Sequence, residues 1–209
     1  MNKYTPQNTA IFDAYEMQIM HNSNFLLTKH KVMQKMMEMF GQFSLALKDS
    51  PIHQYFPFPV GTDNNTGKTS KGDNYKGLPY LILDFPKKFD KTHIFTFRTM
   101  FWWANHFSFT VHLSGRYQEI YAPILQKNIA HLYKQGVYVG VGESAWQYHL
   151  AADNYLPLNH TNKFAVKEHL QNHHFIKLTR QLPVKSYEQF IPYGVQTYEL
   201  FLKALSQTF

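Results

Sequence analysis

Apolar positions along residues 9–21 recur at helical spacing: Ile11, Phe12, Tyr15 and Ile19 fall on one face, with Asn8 or Thr9 placed to cap. Asn22, Ser23 and Asn24 interrupt the pattern. A longer helix is predicted over about 25–48, where Met33, Met36 or Met37, Phe40, Phe43 and Leu47 repeat. Methionine can build an adaptable binding surface, but it also fills irregular cores, and the core reading is preferred. The period then shortens to two. Leu78–Phe85 is a nearly continuous apolar run that Pro86 and Lys87 are expected to end, and His93–Phe101 reads as a second strand. Phe107–Leu113 is the cleanest strand. Phe107, Phe109, Val111 and Leu113 alternate with Ser108, Thr110 and His112, which predicts one apolar and one polar face. Residues 102–106 would join the last two strands as a hairpin loop.

Beyond the hairpin a helix is predicted over about 121–135, with Pro123 in its first turn and Gly136 as its stop. Val137–Val141 and Trp146–Leu150 read as strands, 162–172 as a short helix and Phe175–Leu178 as a last strand. Ser186 and Gln189 form a capping-box pattern before a final helix whose regular part starts near Pro192. Its stripe is Ile191, Val195, Tyr198, Leu202 and Leu205. Two helices, a hairpin-rich run of strands and a mixed tail lack βαβ alternation. The expected fold class is α+β, an antiparallel, hairpin-rich sheet packed with N-terminal and C-terminal helices. One domain is expected over 1–209, with a long polar loop at about 57–77.

Composition narrows the function. Hydrophobic residues at 44% can build a core, and 17% aromatics predict a wide one whose Tyr and Trp polar groups need partners. The net charge of +7 favours an anionic small molecule or partner. The basic residues are dispersed, with no Arg-rich block, which disfavours nucleic acid. The absence of cysteine excludes disulfides, Cys-ligated metals and a Cys nucleophile. Residues 1–17 lack the apolar core of a signal peptide. The apolar runs fall short of the roughly 20 residues of a membrane helix. A cytoplasmic protein without membrane insertion is therefore expected.

Several motifs invite chemistry. Gly61 and Gly67-Lys68-Thr69 suggest a phosphate-binding loop, but five residues separate the glycines and no helix is expected to follow. His169 and His173 lie four apart on a predicted helix, beside His174, and are weak candidates for a metal. A solvated cluster at a helix C-terminus is the simpler account, and no metal or cofactor is expected. The polar face of the hairpin carries Thr96, Arg98, Ser108, Thr110 and His112, with Trp102 and Trp103 at its loop. Arginine and histidine near aromatics suit an anionic or planar ligand. In the stretch from Gly140 to His149, the glycines allow close backbone approach. Ser144 there is not in a nucleophile elbow, because Glu143 directly precedes it. Candidate ligand-binding residues are Arg98, Trp102, His112, Trp146, Tyr148 and Lys76; weak catalytic candidates are His112, Glu143 and His149.

The segment Asn74-Tyr75-Lys76-Gly77-Leu78-Pro79-Tyr80, the hairpin after it, and Phe175-Ile176-Lys177-Leu178 with Leu182-Pro183 resemble a bacterial protein family with no assigned activity. The resemblance spans most of the chain through short motifs. It implies an α+β fold and a bacterial source, and it transfers no catalytic residue.

Two functional readings follow. The first is a non-catalytic binding or interaction protein that holds an anionic ligand through the polar sheet face and the basic loop. The second is a hydrolase or transferase without a familiar motif, using His112, Glu143 or His149 as acid and base with Arg98 stabilising negative charge. The second requires those side chains to converge.

Overall fold

A computed structural model describes residues 11–159 and 161–207. They fall into two compact units divided after Glu38. In the first unit, α1 (Ala14–His21) starts at a capping box. Asp13 accepts a hydrogen bond from the Glu16 amide, and Glu16 accepts one from the Asp13 amide, each at 2.8 Å. The expected caps Asn8 and Thr9 lie outside the described residues. Asn22 ends α1, and its side chain accepts a bond from the Phe25 amide at 3.0 Å, opening α2 (Ser23–Asp49). No side chain of α1 is buried.

The second unit is built on a seven-stranded antiparallel sheet, which makes the chain an α+β protein. The strands are β1 (Lys68–Tyr75), β2 (Leu78–Phe89), β3 (Ile94–Trp102), β4 (His106–Ser114), β5 (Tyr138–Gly140), β6 (Tyr155–Pro157) and β7 (Phe175–Pro183). Their spatial order is β1-β2-β3-β4-β7-β5-β6. The remaining helices are α3 (Pro51–Tyr55), α4 (Arg116–Asn128), α5 (Lys163–Asn172) and α6 (Phe190–Ala204). Among the described residues, no helix is long and apolar enough to cross a membrane.

The alternation read from the sequence sets the two faces of the sheet. On one face, Phe95 packs on Tyr117 and Tyr121 of α4, and Phe97 on Tyr198 of α6. Phe107 and Phe109 pack on Phe190, and Phe43 of α2 inserts beside them. Phe40, Phe43 and Leu47 of the α2 stripe are buried. The last helix thus serves as the hydrophobic lid of the sheet.

Local differences from the sequence reading have physical causes. The second half of the polar stretch is not a loop: 68–75 forms β1, whose backbone pairs with β2 while most of its side chains stay in water, so it lacks an apolar signature. β2 runs on to Phe89 because Pro86 sits in a bulge between Asp84 and Lys87, where its missing N–H costs no ladder bond. α4 begins earlier than expected, at Arg116, so Pro123 lies inside it and 129–132 closes as a 3-10 turn. Ser186 and Gln189 make no capping bond; 184–189 is a 3-10 turn leading into α6. Residues 146–150 are irregular rather than a strand, and the short strand β6 lies just beyond them.

Candidate functional site

The opposite face of the sheet is polar by register. Asp84 of β2 stands opposite Arg98 of β3, Arg98 opposite Thr110 of β4, and Thr110 opposite Thr179 of β7. One rung along, Thr96, His112 and Lys177 align in the same way. The irregular segment 141–154 covers this face, and β3 is buried throughout. Thr96, Thr110, His112 and Lys177 are each 0% exposed.

Burying charge demands pairing, and Arg98 has it. Its Nε and Nη2 donate to the two carboxylate oxygens of Asp84 at 2.7 and 2.8 Å. Its Nη1 donates to the Tyr148 hydroxyl at 2.8 Å. Trp146 and Tyr148 place their rings 5.2 and 5.3 Å from the guanidinium carbon. Burial disfavours the charge, yet the Asp84 bonds and the Asp84 and Tyr148 oxygens more than offset it, raising the Arg98 pKa. The fork is a neutral, satisfied pair.

Lys177 is different. Its amine donates to the Gln147 carbonyl. Around it stand the rings of Tyr155, Tyr148 and Phe175, at 4.8, 5.0 and 5.5 Å. Among the described residues no carboxylate pairs with it. Burial, and then the nearby Arg98 charge, pull its pKa from 10.5 down to about 7. Gly140 makes room for it: a β-carbon there would stand 2.8 Å from Lys177 Cε.

His112 completes the cluster. Burial first, then Arg98 and Lys177, lower its pKa to about 3, so the ring is neutral at physiological pH. Nδ1 lies 3.4 Å from the Tyr148 hydroxyl. Because that hydroxyl already accepts from Arg98, its proton is free for His112 Nδ1, which assigns the His112 proton to Nε2. Nε2 has no partner among the described residues, nor do Ser108 Oγ and Trp102 Nε1 on the same face. Burial pushes the Tyr148 hydroxyl up to about 12, although Arg98 opposes this, and burial also raises Tyr155 well above its ordinary range.

The covering segment is held by a few polar ties. The Tyr75 hydroxyl accepts from the amides of Tyr148 and His149 at 2.6 and 3.1 Å and lies 3.1 Å from His149 Nδ1. Asn154 donates to the His149 carbonyl at 2.8 Å, and its own carbonyl accepts from the Val141 amide at 2.8 Å. Trp146 and Gln147 are exposed, so the Lys177 amine lies one backbone layer below the surface.

The structure brings Arg98, His112, Trp146 and Tyr148 into one cluster. Trp102 lies further along the same face, with Ile82, Met100 and Tyr148. Lys76 is exposed in the β1–β2 turn, away from the cluster. The weak catalytic set is not assembled: His149 points to Tyr75 and, at 3.6 Å, to Asp153, while exposed Glu143 makes no hydrogen bond or ion pair among the described residues. His169 donates through Nε2 to the Gly140 carbonyl at 2.8 Å, and its ring lies 4.2 Å from that of His173. Among the described residues, no group of three His, Cys, Asp or Glu side chains could hold a metal ion.

The sequence reading gave Lys177 no functional role. A signal was present: in Phe175–Pro183, positions 175, 177, 179 and 181 share a face, and register sets them beside His112 and Thr110. No protein-family model, curated protein or solved structure matches the chain.

Proposed function

We propose that this protein binds a small anionic molecule against the polar face of its sheet, beneath the 141–154 segment. One observation carries the reading: Lys177 is a buried amine with a backbone carbonyl for a partner and no carboxylate. An anion is the partner that such a group lacks, and a charge-assisted bond in a water-poor site is stronger than a neutral one. His112 adds a neutral donor at Nε2. Trp146, in edge contact with His112 at 5.4 Å, supplies a flat wall. The satisfied Arg98–Asp84 fork beside it serves as a rigid floor rather than as a ligand-binding charge.

The acid–base enzyme reading has less support, because Glu143 and His149 do not approach His112. The test is a thermal-shift titration with acetate, lactate and inorganic phosphate at pH 6.5 and pH 9. At least one anion is expected to raise the melting temperature, more at the lower pH, where Lys177 carries its proton. Lys177→Met should abolish the shift. The reading fails if no anion acts, or if the variant responds like the parent chain.

A further inference from the structure

Anion binding uses the charge of Lys177, but the same surroundings suit a different chemistry. We propose that Lys177 is a nucleophilic amine that captures a carbonyl group as an imine, its partner being a small carboxylate that bears an aldehyde or ketone. This deepens the anion-binding reading and rests on it.

The geometry supplies each requirement. The amine is surrounded by three aromatic rings and has a single backbone acceptor. A carboxylate counter-ion would hold the amine protonated, and among the described residues none is paired with it. Its cross-strand neighbour His112 is fully buried and offers Nε2 without a partner, a neutral donor suited to a carbonyl oxygen. The second cation of the cluster, Arg98, is paired with both carboxylate oxygens of Asp84, so it does not compete with Lys177 for an anion's carboxylate. Gly140 fixes where the Lys177 stem runs, because only a residue without a β-carbon leaves that stem its place.

The step balances without an added oxidant or reductant. The Nζ lone pair forms a bond to the carbonyl carbon, and the carbonyl π bond opens onto oxygen. That oxygen takes a proton as the nitrogen loses one, giving a carbinolamine. Loss of the hydroxyl with one further nitrogen proton, as water, leaves the C=N bond. The free-base form of the amine is required, and desolvation provides it near neutral pH. The charged or titratable groups facing Lys177 are Arg98, His112, Tyr148, Tyr155 and, from the end of α5, His173. His112 is neutral here. Burial, then His169, His174 and Lys177, lower His173 to about 4, and so it too is neutral.

The experiment incubates the full chain with glyoxylate or pyruvate at pH 7.5, reduces with cyanoborohydride and maps the modified lysines by peptide mass spectrometry. Glycolate and lactate serve as carbonyl-free counterparts in the thermal-shift assay. Lys177 is expected to be labelled at least about tenfold faster than exposed Lys127 and Lys134, because an ordinary lysine is almost wholly protonated at that pH. Its labelling should fall as pH drops below 7, and Lys177→Arg should lose it while retaining a cation. If glycolate or lactate shifts the melting temperature but Lys177 labels no faster than the surface lysines, imine capture is overturned and anion binding stands. If neither class of compound shifts or labels, both fall.

Discussion

The two faces of the sheet are made by the same strands and both hold buried rows of side chains, yet they are held by different physics. On the helix side, Phe95, Phe97, Phe107 and Phe109 meet Tyr117, Tyr198 and Phe190 through apolar area and ring contacts. That packing depends on volume and tolerates change in detail. On the opposite side, Asp84, Arg98, Thr110, His112, Lys177 and Thr179 must each find a polar partner at bonding distance. The Thr110 and Thr179 hydroxyls do so with each other at 2.6 Å, and Arg98 with Asp84. Lys177 and His112 are only partly served. A face of polar groups is expensive to bury, and what sets this side apart is a buried amine whose one polar partner is a single backbone carbonyl among the described residues.

The comparison can be broken from either side. The largest effect is expected from Phe190→Ala, which empties a fully buried ring site and should cost about 4 kcal/mol in denaturant unfolding. The loss should leave anion-induced thermal shifts intact, because Phe190 touches only the helix side. Asp84→Asn comes next. It strips the Arg98 charge of its carboxylate at 3% exposure and should cost about 3 kcal/mol. Unlike the first variant, it should also disturb the cluster, read as a change in the fluorescence of Trp146, whose ring faces Arg98.

The change read in the smallest steps, pH unit by pH unit, sharpens the comparison most. Lys177 has a folded pKa of about 7 against an ordinary 10.5, so between those values the unfolded chain binds more protons than the folded one. Stability therefore rises with pH across that window, by up to about 1.4 kcal/mol per unit, and is flat below it. The stability of the parent chain minus that of Lys177→Met should show this rise. A flat difference between pH 7 and 10 would mean that the amine is neither dry nor unpaired.

Much of the sheet was legible in the sequence. The Phe107–Leu113 alternation and the Arg98 and Thr96 parity placed the polar face correctly, because period two survives burial of either side. What lay above that face was not legible. Residues 141–154 form neither helix nor strand, so no periodicity announces them, and their position depends on single contacts such as Tyr148 to Arg98. β1 escaped for the converse reason: its ladder is made by the backbone of Lys68–Tyr75, and its side chains are those of a loop. Lys177 stood in plain view within an apolar strand, but its meaning depends on two rings from other segments, Tyr148 and Tyr155, and on the lack, among the described residues, of a carboxylate paired with it. Strand parity predicts which side chains share a face, and only the fold shows which of them lack a counter-charge.

The hydroxyl of Tyr75 has a consequence beyond holding the segment down. It is the last residue of β1, at the outer margin of the sheet, and it holds the amides of 148 and 149 together. Lifting those residues would break both bonds together, because the two amides share one acceptor. By reciprocity, whatever favours the lifted position from beneath must loosen the edge hairpin by the same free energy, and whatever stiffens that hairpin must resist entry. One hydroxyl of the outermost strand thereby ties the sheet's margin to the backbone that covers its buried lysine.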